Sequence, residues 1–260
     1  MLISSIVLGP RIFAPASWLR FLEVQKLGRR LPWRGDLIRL KLRGWGSQCM
    51  YIRPRGTDWE TLHASLIGKY HRPGDDLPGV SAILDLGSNI GATVADMAVH
   101  YPAARIIGVE LDADNVALAR RNTEHWVSRV SIVHGAAWSA NGEIAYGGNR
   151  GEWAYRVLPA MDERTASTII DTVPAYSLLT LIDRLAPGGD VDYVKMDIEG
   201  AESFILDAGD DWAPRVRCIK VEVHLPLDVA GCSGKLERLG FTTVIDPEGI
   251  PCVTGYRAAE

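Results

Sequence analysis

Residues 83 to 91 read Ile83-Leu84-Asp85-Leu86-Gly87-Ser88-Asn89-Ile90-Gly91, and this stretch decides the fold. The apolar run from Val80 to Leu86 predicts a buried parallel strand, and the apolar spacing from Ala92 to Tyr101 predicts a helix. Gly87 and Gly91 allow a tight turn between the two and a close approach of the backbone to a ligand. The stretch therefore predicts a strand that enters a helix N-terminus through a glycine turn, an arrangement suited to a nucleotide-like cofactor.

A second acid, Glu110, ends the strand predicted from Arg105 to Leu111. It follows the turn at roughly twenty residues, the distance at which dinucleotide folds place an acid against ribose hydroxyls. The spacing of the turn is D-x-G-x-x-x-G with Asp85 ahead of it, whereas pyrophosphate turns usually read G-x-G-x-x-G. An acid at that place suits a cationic or zwitterionic ligand, so the two acids predict S-adenosylmethionine rather than NAD. A tight turn without any ligand is the alternative.

Length and composition predict one enzyme domain of ordinary charge. The chain has 260 residues, a formal net charge of -4 and four cysteines without a C-x-x-C pair, which predicts neither a zinc cluster nor a disulfide framework. The acidic balance argues against a nucleic-acid partner. The apolar residues Leu2 to Leu8 lack the flanks of an export signal, and no apolar window reaches bilayer length. We therefore expect a cytoplasmic protein without a membrane partner.

Two parts of the chain are predicted, with a boundary in a loop rich in Pro, Gly and Asp. Residues 1–75 form an N-terminal extension that contacts substrate or a second subunit, and residues 76–260 form the cofactor-binding catalytic domain. The extension is predicted to contain helices at 15–27 and 58–70 and strands at 37–42 and 49–52. We expect the helix at 58–70 to lie over the mouth of the cofactor site.

Strands and helices alternate regularly from residue 80 onward. Strands are predicted at 80–86, 105–110, 130–134, 168–173, 191–197 and 216–223. This alternation predicts an α/β, Rossmann-like fold: a mostly parallel seven-stranded sheet with helices on both faces and an antiparallel C-terminal hairpin at 241–246 and 250–255. A segment rich in glycine and aromatic residues at 136–165 predicts an inserted hairpin or lid. For Trp153 and Tyr155 in this segment, packing within the lid is favoured, and a wall that stacks on a sugar is the other interpretation.

Acidic and histidine side chains follow several strands of the predicted sheet. They are Asp85, Glu110, His134, Asp197, Glu199, Glu222 and His224. Because ligands bind beyond the carboxyl ends of parallel strands, we expect these side chains to surround the cofactor and the acceptor. Each of them alone is also compatible with a helix cap or a solvated loop position.

Three motifs resemble those of FkbM-type S-adenosylmethionine-dependent methyltransferases. They are Asp85-Leu86-Gly87-Ser88-Asn89-Ile90-Gly91, Lys195-Met196-Asp197-Ile198-Glu199-Gly200-Ala201-Glu202 and Glu222-Val223-His224. The resemblance covers residues 80 to 245 and implies a class I methyltransferase that methylates a hydroxyl on a sugar or natural-product-like small molecule. One departure is Glu110-Leu111-Asp112, which stands where family members often have Glu-Pro and keeps the ribose acid.

The predicted cofactor site combines the glycine turn, the ribose acid and the end of the third strand. Its members are Asp85, Gly87, Ser88, Asn89, Gly91, Glu110, Leu111, Ala136, Ala137 and Trp138. Trp138 either stacks on the adenine or packs beneath the insertion.

In the predicted reaction, the sulfonium methyl passes in line to a substrate oxygen while a base removes the hydroxyl proton. His224 is the first candidate for this base because imidazole titrates near neutral pH, with Glu222 beside it and Asp197 as the second candidate. Alternatively, Asp197, Glu199 and Glu222, together with His224, hold a divalent ion such as Mg²⁺ that polarises a sugar diol. Metal use is thus a hypothesis separate from the cofactor prediction.

Two other function classes stay open at this point. One is an NAD(P)-dependent oxidoreductase on the same fold, and the other is a non-catalytic cofactor-binding partner protein. The missing second glycine of the turn disfavours the first, and the number of acids and histidines at the predicted rim disfavours the second. The expected partner is a small-molecule acceptor, with a homo-oligomer as a further possibility.

Overall fold

The computed structural model describes residues 1–27, 37–73, 77–147, 156–157, 169–246 and 249–258. Its helices are α1 Leu2–Ile12, α2 Pro15–Leu27, α3 Asp58–Leu62, α4 Ala92–His100, α5 Ala113–Thr123, α6 Leu178–Leu185, α7 Glu202–Asp207 and α8 Val229–Arg238. A π-helical stretch, His63–Gly68, continues α3. The strands are β1 Ile38–Lys41, β2 Cys49–Ile52, β3 Ala82–Leu86, β4 Arg105–Glu110, β5 Val130–His134, β6 Ala136–Trp138, β7 Gly142–Gly147, β8 Arg156–Val157, β9 Ile169–Ser177, β10 Val191–Met196, β11 Val216–Glu222, β12 Thr242–Ile245 and β13 Cys252–Tyr256.

The central sheet has seven strands in the order β12-β13-β11-β10-β3-β4-β5. The pairs from β11 to β5 are parallel, and β13 is antiparallel to both of its neighbours, β11 and β12. This arrangement confirms the predicted α/β, Rossmann-like sheet with its C-terminal hairpin. The strand order changes direction between β3 and β10, and such a switch point opens a crevice for a ligand at the carboxyl ends of the strands.

Alternating side chains of the buried strands supply a core on each face of the sheet. Ile83 and Tyr193 pack with α4 and α5 on one face. Their neighbours Leu84 and Val194 pack with α6, α7 and α8 on the other. Because successive residues of a strand point to opposite faces, a fully apolar strand needs helices on both sides. The prediction of helices on both faces is confirmed.

The segment after β5 departs from the predicted pattern. The strand predicted at 168–173 within the alternating units is β9, and it belongs to a separate four-stranded sheet in the order β6-β9-β7-β8. The predicted hairpin or lid at 136–165 is partly this sheet, which has its own small core around Ile144 and Val173. The alternation of apolar residues indicates a strand, but it does not say with which sheet the strand pairs. Trp153 and Tyr155 lie outside the described residues.

The N-terminal elements pack against the cofactor half of the central domain. Phe21, Leu40 and Leu66 share one apolar cluster with Ile90 and with Ala95 of α4. Helix α1 was not predicted from the sequence, whereas α2, β1 and β2 were, and β1 pairs with β2 in antiparallel fashion. Within the described parts of the chain, every helix is too short or too polar to cross a membrane.

The glycine turn after β3 is shaped by the neighbouring strand β10. The amides of Gly87 and Ser88 both donate to the carbonyl oxygen of Val109 on β4, at 3.0 and 2.9 Å. Gly87 has a left-handed φ of 78°, and a Cβ atom at this position would lie 1.7 Å from the carbonyl oxygen of Asp197. A side chain therefore does not fit between the turn and the end of β10, for reasons of both conformation and space.

We expect Gly87→Ala to lower the free energy of unfolding by roughly 3 to 5 kcal/mol, because backbone atoms must move to admit the methyl group. Gly44→Ala is the matched control, since Gly44 has nearly the same φ of 77° but open space around it. There the left-handed backbone alone should cost about 1 kcal/mol. Urea denaturation followed by circular dichroism measures both variants, and equal losses would contradict the proposed clash.

Candidate active site

A cleft opens at the carboxyl ends of the central strands, beside the switch between β3 and β10. It contains about 840 Å³ of empty space, including the solvent at its mouth. Most of the predicted site residues line it, namely Gly87, Asn89, Glu110, Leu111, Ala136, Ala137, Asp197, Glu199 and Glu222. The predicted residues Asp85, Ser88, Gly91, Trp138 and His224 are not part of this wall. The cleft thus brings the predicted donor residues and the predicted acceptor residues to one place.

Glu110 lies at the end of β4 with its carboxylate held by backbone amides. Its Oε2 accepts from the amide of Asn89 at 2.8 Å, and its Oε1 accepts from the amide of Asp112 at 2.9 Å. Burial raises the pKa of Glu110 to about 7 against the opposing effect of these hydrogen bonds. The carboxylate keeps acceptor capacity for ligand hydroxyls, because each oxygen accepts more than one hydrogen bond.

Asp85 lies behind the turn rather than in the cleft wall. It is fully buried, accepts a hydrogen bond from the hydroxyl of Thr93, and lies 3.3 Å from Nζ of Lys195. Nζ of Lys195 in turn donates to the carbonyl oxygen of Gly87 at 2.9 Å. The sequence predicted that Asp85 faces a cationic or zwitterionic ligand. In the fold its carboxylate pairs with Lys195, and Lys195 binds the turn.

Lys195 also connects the turn to the acceptor side of the cleft. Its Nζ lies 3.2 Å from Oδ2 of Asp197, and the Tyr70 hydroxyl donates to the same oxygen at 2.8 Å. Burial alone would lower the pKa of Lys195, but the charges of Asp197 and Asp85 outweigh it and the pKa is raised. Burial would raise the pKa of Asp197, but the Lys195 and His224 charges outweigh it and the pKa is lowered. Asp197 is therefore held as a carboxylate.

His224 lies just outside the cleft wall, and four acidic side chains surround it. Nδ1 of His224 lies 2.9 Å from Oε1 of Glu202, and Nε2 lies 3.5 Å from Glu199, 3.6 Å from Glu222 and 3.9 Å from Asp197. Glu202 is fully buried and also accepts from the amides of Ile198 and Gly200, so it fixes the imidazole to the turn after β10. We call Asp197, Glu199, Glu202, Glu222 and His224 the acid-imidazole cluster.

The acid-imidazole cluster holds its protons tightly. Burial alone would lower the pKa of His224, but the hydrogen bond with Glu202 and the charge of Glu199 raise it to about 9. Burial and the charge of Asp197 raise the pKa of Glu222 to about 8. Both shifts favour the protonated forms of His224 and Glu222 near neutral pH. His224 can receive a proton from an acceptor only after its resting proton has moved to a neighbouring carboxylate.

Three members of the cluster also meet the geometric requirement for a metal site. One ligand atom each from Asp197, Glu199 and His224 lie within 4.8 Å of one another. The predicted set contained these three residues and also Glu222, which is not part of this group. Two carboxylates and an imidazole suit a divalent ion, and binding such an ion would require a neutral His224.

Trp138 packs away from the cleft. Its ring lies against Phe204 of α7, with the ring centroids 4.7 Å apart. The Trp138 side chain thus makes packing contacts and is not part of the cleft wall.

The structure adds wall residues that the sequence analysis did not single out. They include Thr61, Ala64, Tyr70, Asn115, Val157, Ile198, Ala201 and Ile250. The first three come from the region of the predicted helix at 58–70, which agrees with the expectation that this helix lies over the mouth. Ile198 and Ala201 belong to the quoted motif from Lys195 to Glu202. Asn115, Val157 and Ile250 follow no motif, because they reach the cleft only through tertiary packing.

The chain is similar in sequence to a known methyltransferase. The chain is 25% identical over 183 residues to the release factor glutamine methyltransferase of Geobacter sulfurreducens, a match that covers 69% of this chain and 59% of that protein. The chain therefore matches less than two thirds of the length of this relative.

Solved structures of methyltransferases align with the fold at low identity. A precorrin-6y C5,15-methyltransferase from Geobacter metallireducens is 15% identical, with a TM-score of 0.45, over 77% of this chain and 89% of that chain. An O-methyltransferase family protein from Burkholderia thailandensis is 12% identical, with a TM-score of 0.45, over 99% and 71%.

Family membership is decided by a match that covers the sequence motifs and the segments between them. Residues 85–240 match the methyltransferase FkbM domain. This range begins at Asp85 and includes the glycine turn, Glu110 and every member of the acid-imidazole cluster. It also counts against the oxidoreductase alternative. Because the match covers more than half of the chain, the protein belongs to the FkbM family of methyltransferases.

Proposed function

We propose that the protein transfers a methyl group from S-adenosylmethionine to a hydroxyl of a sugar or natural-product-like small molecule. The observation that carries this proposal is the cleft itself, which has Glu110 and the glycine turn at one end and carboxylates of the acid-imidazole cluster at the other. The ribose hydroxyls of the donor would meet Glu110, and the hydroxyl of the acceptor would meet the carboxylates of the acid-imidazole cluster. Their reacting atoms would then meet inside the cleft, between the Glu110 end and the acid-imidazole cluster.

The charges of the cleft support a donor without phosphates. Its described wall contains the acids Glu110, Asp197, Glu199 and Glu222 and neither Lys nor Arg. A diphosphate would be repelled there, whereas a sulfonium and an ammonium would be attracted. This balance favours S-adenosylmethionine over a nicotinamide dinucleotide.

The same charges support a neutral or cationic acceptor. Carboxylates accept hydrogen bonds from sugar hydroxyls, and they repel acceptors that carry phosphate or carboxylate groups. Asp197 is oriented for this task because Lys195 and Tyr70 both hold its Oδ2. Its Oδ1 faces the His224 imidazole.

The acid-imidazole cluster is the proposed destination of the hydroxyl proton. A neutral alcohol is a poor nucleophile, so the proton must leave as the methyl group arrives. In the proposed step the oxygen to methyl bond forms, the sulfur to methyl bond breaks, and S-adenosylhomocysteine leaves. His224 is the proposed proton acceptor, with Asp197 as the second candidate. Glu199, which lies 3.5 Å from Nε2 of His224, is the neighbour that takes the resting proton, because the raised pKa of Glu222 favours its protonated form.

A divalent ion is the alternative way to activate the hydroxyl. Asp197, Glu199 and His224 would hold it, since their ligand atoms lie close enough together. When bound, such an ion would lower the pKa of a coordinated sugar hydroxyl. In this alternative the cluster orients the acceptor and does not receive its proton.

Isothermal calorimetry with S-adenosylhomocysteine tests the donor. We expect the protein to bind S-adenosylhomocysteine but not NADH or NADPH, and Glu110→Ala to weaken binding roughly tenfold to a hundredfold because hydrogen bonds to a charged acceptor are lost. Glu124→Ala, an exposed acid beyond α5, is the control and should leave binding unchanged. Binding of a nicotinamide in place of S-adenosylhomocysteine would refute the proposal.

Replacement of His224 tests the proton acceptor. His224→Ala should leave S-adenosylhomocysteine binding intact and slow methylation of a hydroxylated acceptor by roughly a hundredfold or more. The measurement is release of S-adenosylhomocysteine over a panel of sugars, glycosides and amides, with His125→Ala as an exposed histidine control. Unchanged turnover would exclude His224 and direct attention to Asp197→Asn.

Removal of divalent ions tests the metal alternative. If a metal activates the acceptor, EDTA should abolish turnover of the acceptor found in the panel and added Mg²⁺ should restore it, while S-adenosylhomocysteine binding stays unchanged. Full turnover in EDTA after extensive dialysis would remove the metal from the mechanism and leave the acid-imidazole cluster as the proton acceptor.

A further inference from the structure

Arg53 connects the N-terminal extension to the cofactor end of the cleft. It follows β2, and its guanidinium pairs with the buried Asp58 at the start of α3, with Nε 3.0 Å from Oδ2 and Nη2 2.7 Å from Oδ1. The Arg53 amide also donates to Asp58 at 2.7 Å. These contacts hold the guanidinium in one orientation. Its Nη2 then donates to Oδ1 of Asn115 at 2.6 Å.

The contact from Arg53 determines which way the Asn115 amide points. Asn115 is buried on the first turn of α5, and its side chain lines the cleft. A guanidinium only donates, so the carbonyl oxygen of the amide must face Arg53 and the NH₂ group must face the other way. Asn115 and Glu110 both line the cleft, and the Asn115 side chain lowers the pKa of Glu110, as a nearby hydrogen-bond donor does. Since an ionised carboxylate only accepts, the NH₂ group of Asn115 is the donor.

Glu110 is therefore held from three directions. The amides of Asn89 and Asp112 bind its two oxygens, and Asn115 adds a side-chain donor. The two amides belong to the turns after β3 and β4. The third donor depends on Arg53 and Asp58, which lie outside the matched range of residues 85–240.

We propose that Arg53, oriented by Asp58, is a positioning residue for the methyl donor, because it fixes the Asn115 amide that holds Glu110 ready to accept the ribose hydroxyls. This inference rests on the proposed function, in which Glu110 binds that ribose. It assigns part of the N-terminal extension to the donor site. The extension thereby becomes necessary for donor affinity as well as for packing.

The charges around Glu110 make the proposal measurable through pH. Burial raises the pKa of Glu110 to about 7, the charge of Asp112 raises it further, and the hydrogen bonds from Asn89, Asp112 and Asn115 lower it. The other ionisable groups near this carboxylate are the Arg53 and Asp58 pair and His134, its partner on β5. Loss of the Asn115 donor should therefore raise the pKa of Glu110. Since the ionised form of Glu110 accepts hydrogen bonds from the ribose hydroxyls, the affinity for the methyl donor should rise as the pH rises through the pKa of Glu110.

The experiment measures S-adenosylhomocysteine affinity of the full chain by calorimetry between pH 6 and pH 8.5. Its variants are Arg53→Met, Asn115→Leu and the double variant. Arg217→Met is the matched control, because the Arg217 side chain is 36% exposed against 35% for Arg53. Arg217 pairs with Asp192 near the amino ends of β11 and β10, whereas the cleft lies at the carboxyl ends of the strands. Thermal melting of each variant shows whether it is folded.

We expect Arg53→Met and Asn115→Leu each to weaken binding about tenfold at pH 7 and to move the midpoint of the affinity profile to higher pH. The double variant should be no weaker than Asn115→Leu alone, because Arg53 acts through Asn115. Arg217→Met should lower the melting temperature at most and leave both the affinity and the midpoint unchanged.

Three results would overturn the proposal: affinity in Arg53→Met equal to that of Arg217→Met, an unshifted midpoint in Arg53→Met, or additive losses in the double variant. A wild-type protein that does not bind S-adenosylhomocysteine would instead refute the proposed function and this inference with it. The two failures are thus distinguished by the wild-type titration.

Discussion

The site depends on one buried ammonium group. Nζ of Lys195 lies 3.3 Å from Asp85 and 3.2 Å from Asp197, and it donates to the carbonyl oxygen of Gly87. The buried carboxylate of Asp85 and the partly buried carboxylate of Asp197 would repel each other at the ends of adjacent strands, and a buried charge without a partner is costly. Lys195 offsets both charges and binds the turn at the same time. It thereby joins β3, which carries the cofactor turn, to β10, which carries Asp197.

This constraint explains why the two ends of the cleft are close together. Gly87 approaches the Asp197 carbonyl so closely that only glycine fits, and this approach brings the turn next to the acid-imidazole cluster. Asp197 is held as a carboxylate by Lys195 and Tyr70, so its position does not depend on the acceptor. Protons of the cluster reside instead on His224 and Glu222. Because these charges are already in place, the site can orient an acceptor hydroxyl without a rearrangement of the protein.

The N-terminal extension completes this arrangement from outside the matched domain. Tyr70 contributes a hydroxyl to the acceptor end, and Arg53 reaches Asn115 at the donor end. The intervening segment passes through a π-helical stretch, His63–Gly68, from which Ala64 lines the cleft. π-Helical turns often occur at functional sites because they shift the side chains that follow. The extension thus forms part of the cleft wall through Tyr70 and Ala64, and through Arg53 it supports the wall residue Asn115.

The sequence by itself determined the central sheet, its helices, the C-terminal hairpin and about half of the cleft wall, because apolar periodicity, glycine turns and strand-end acids are local patterns. Tertiary structure decided the rest. It moved β9 into a second sheet, placed Asp85 behind the turn, and brought Tyr70 and Asn115 to the cleft. It also gave His224 four carboxylate neighbours and hence its resting proton. Pairing partners and the pKa of a buried group depend on residues distant in the chain, and no local pattern contains them.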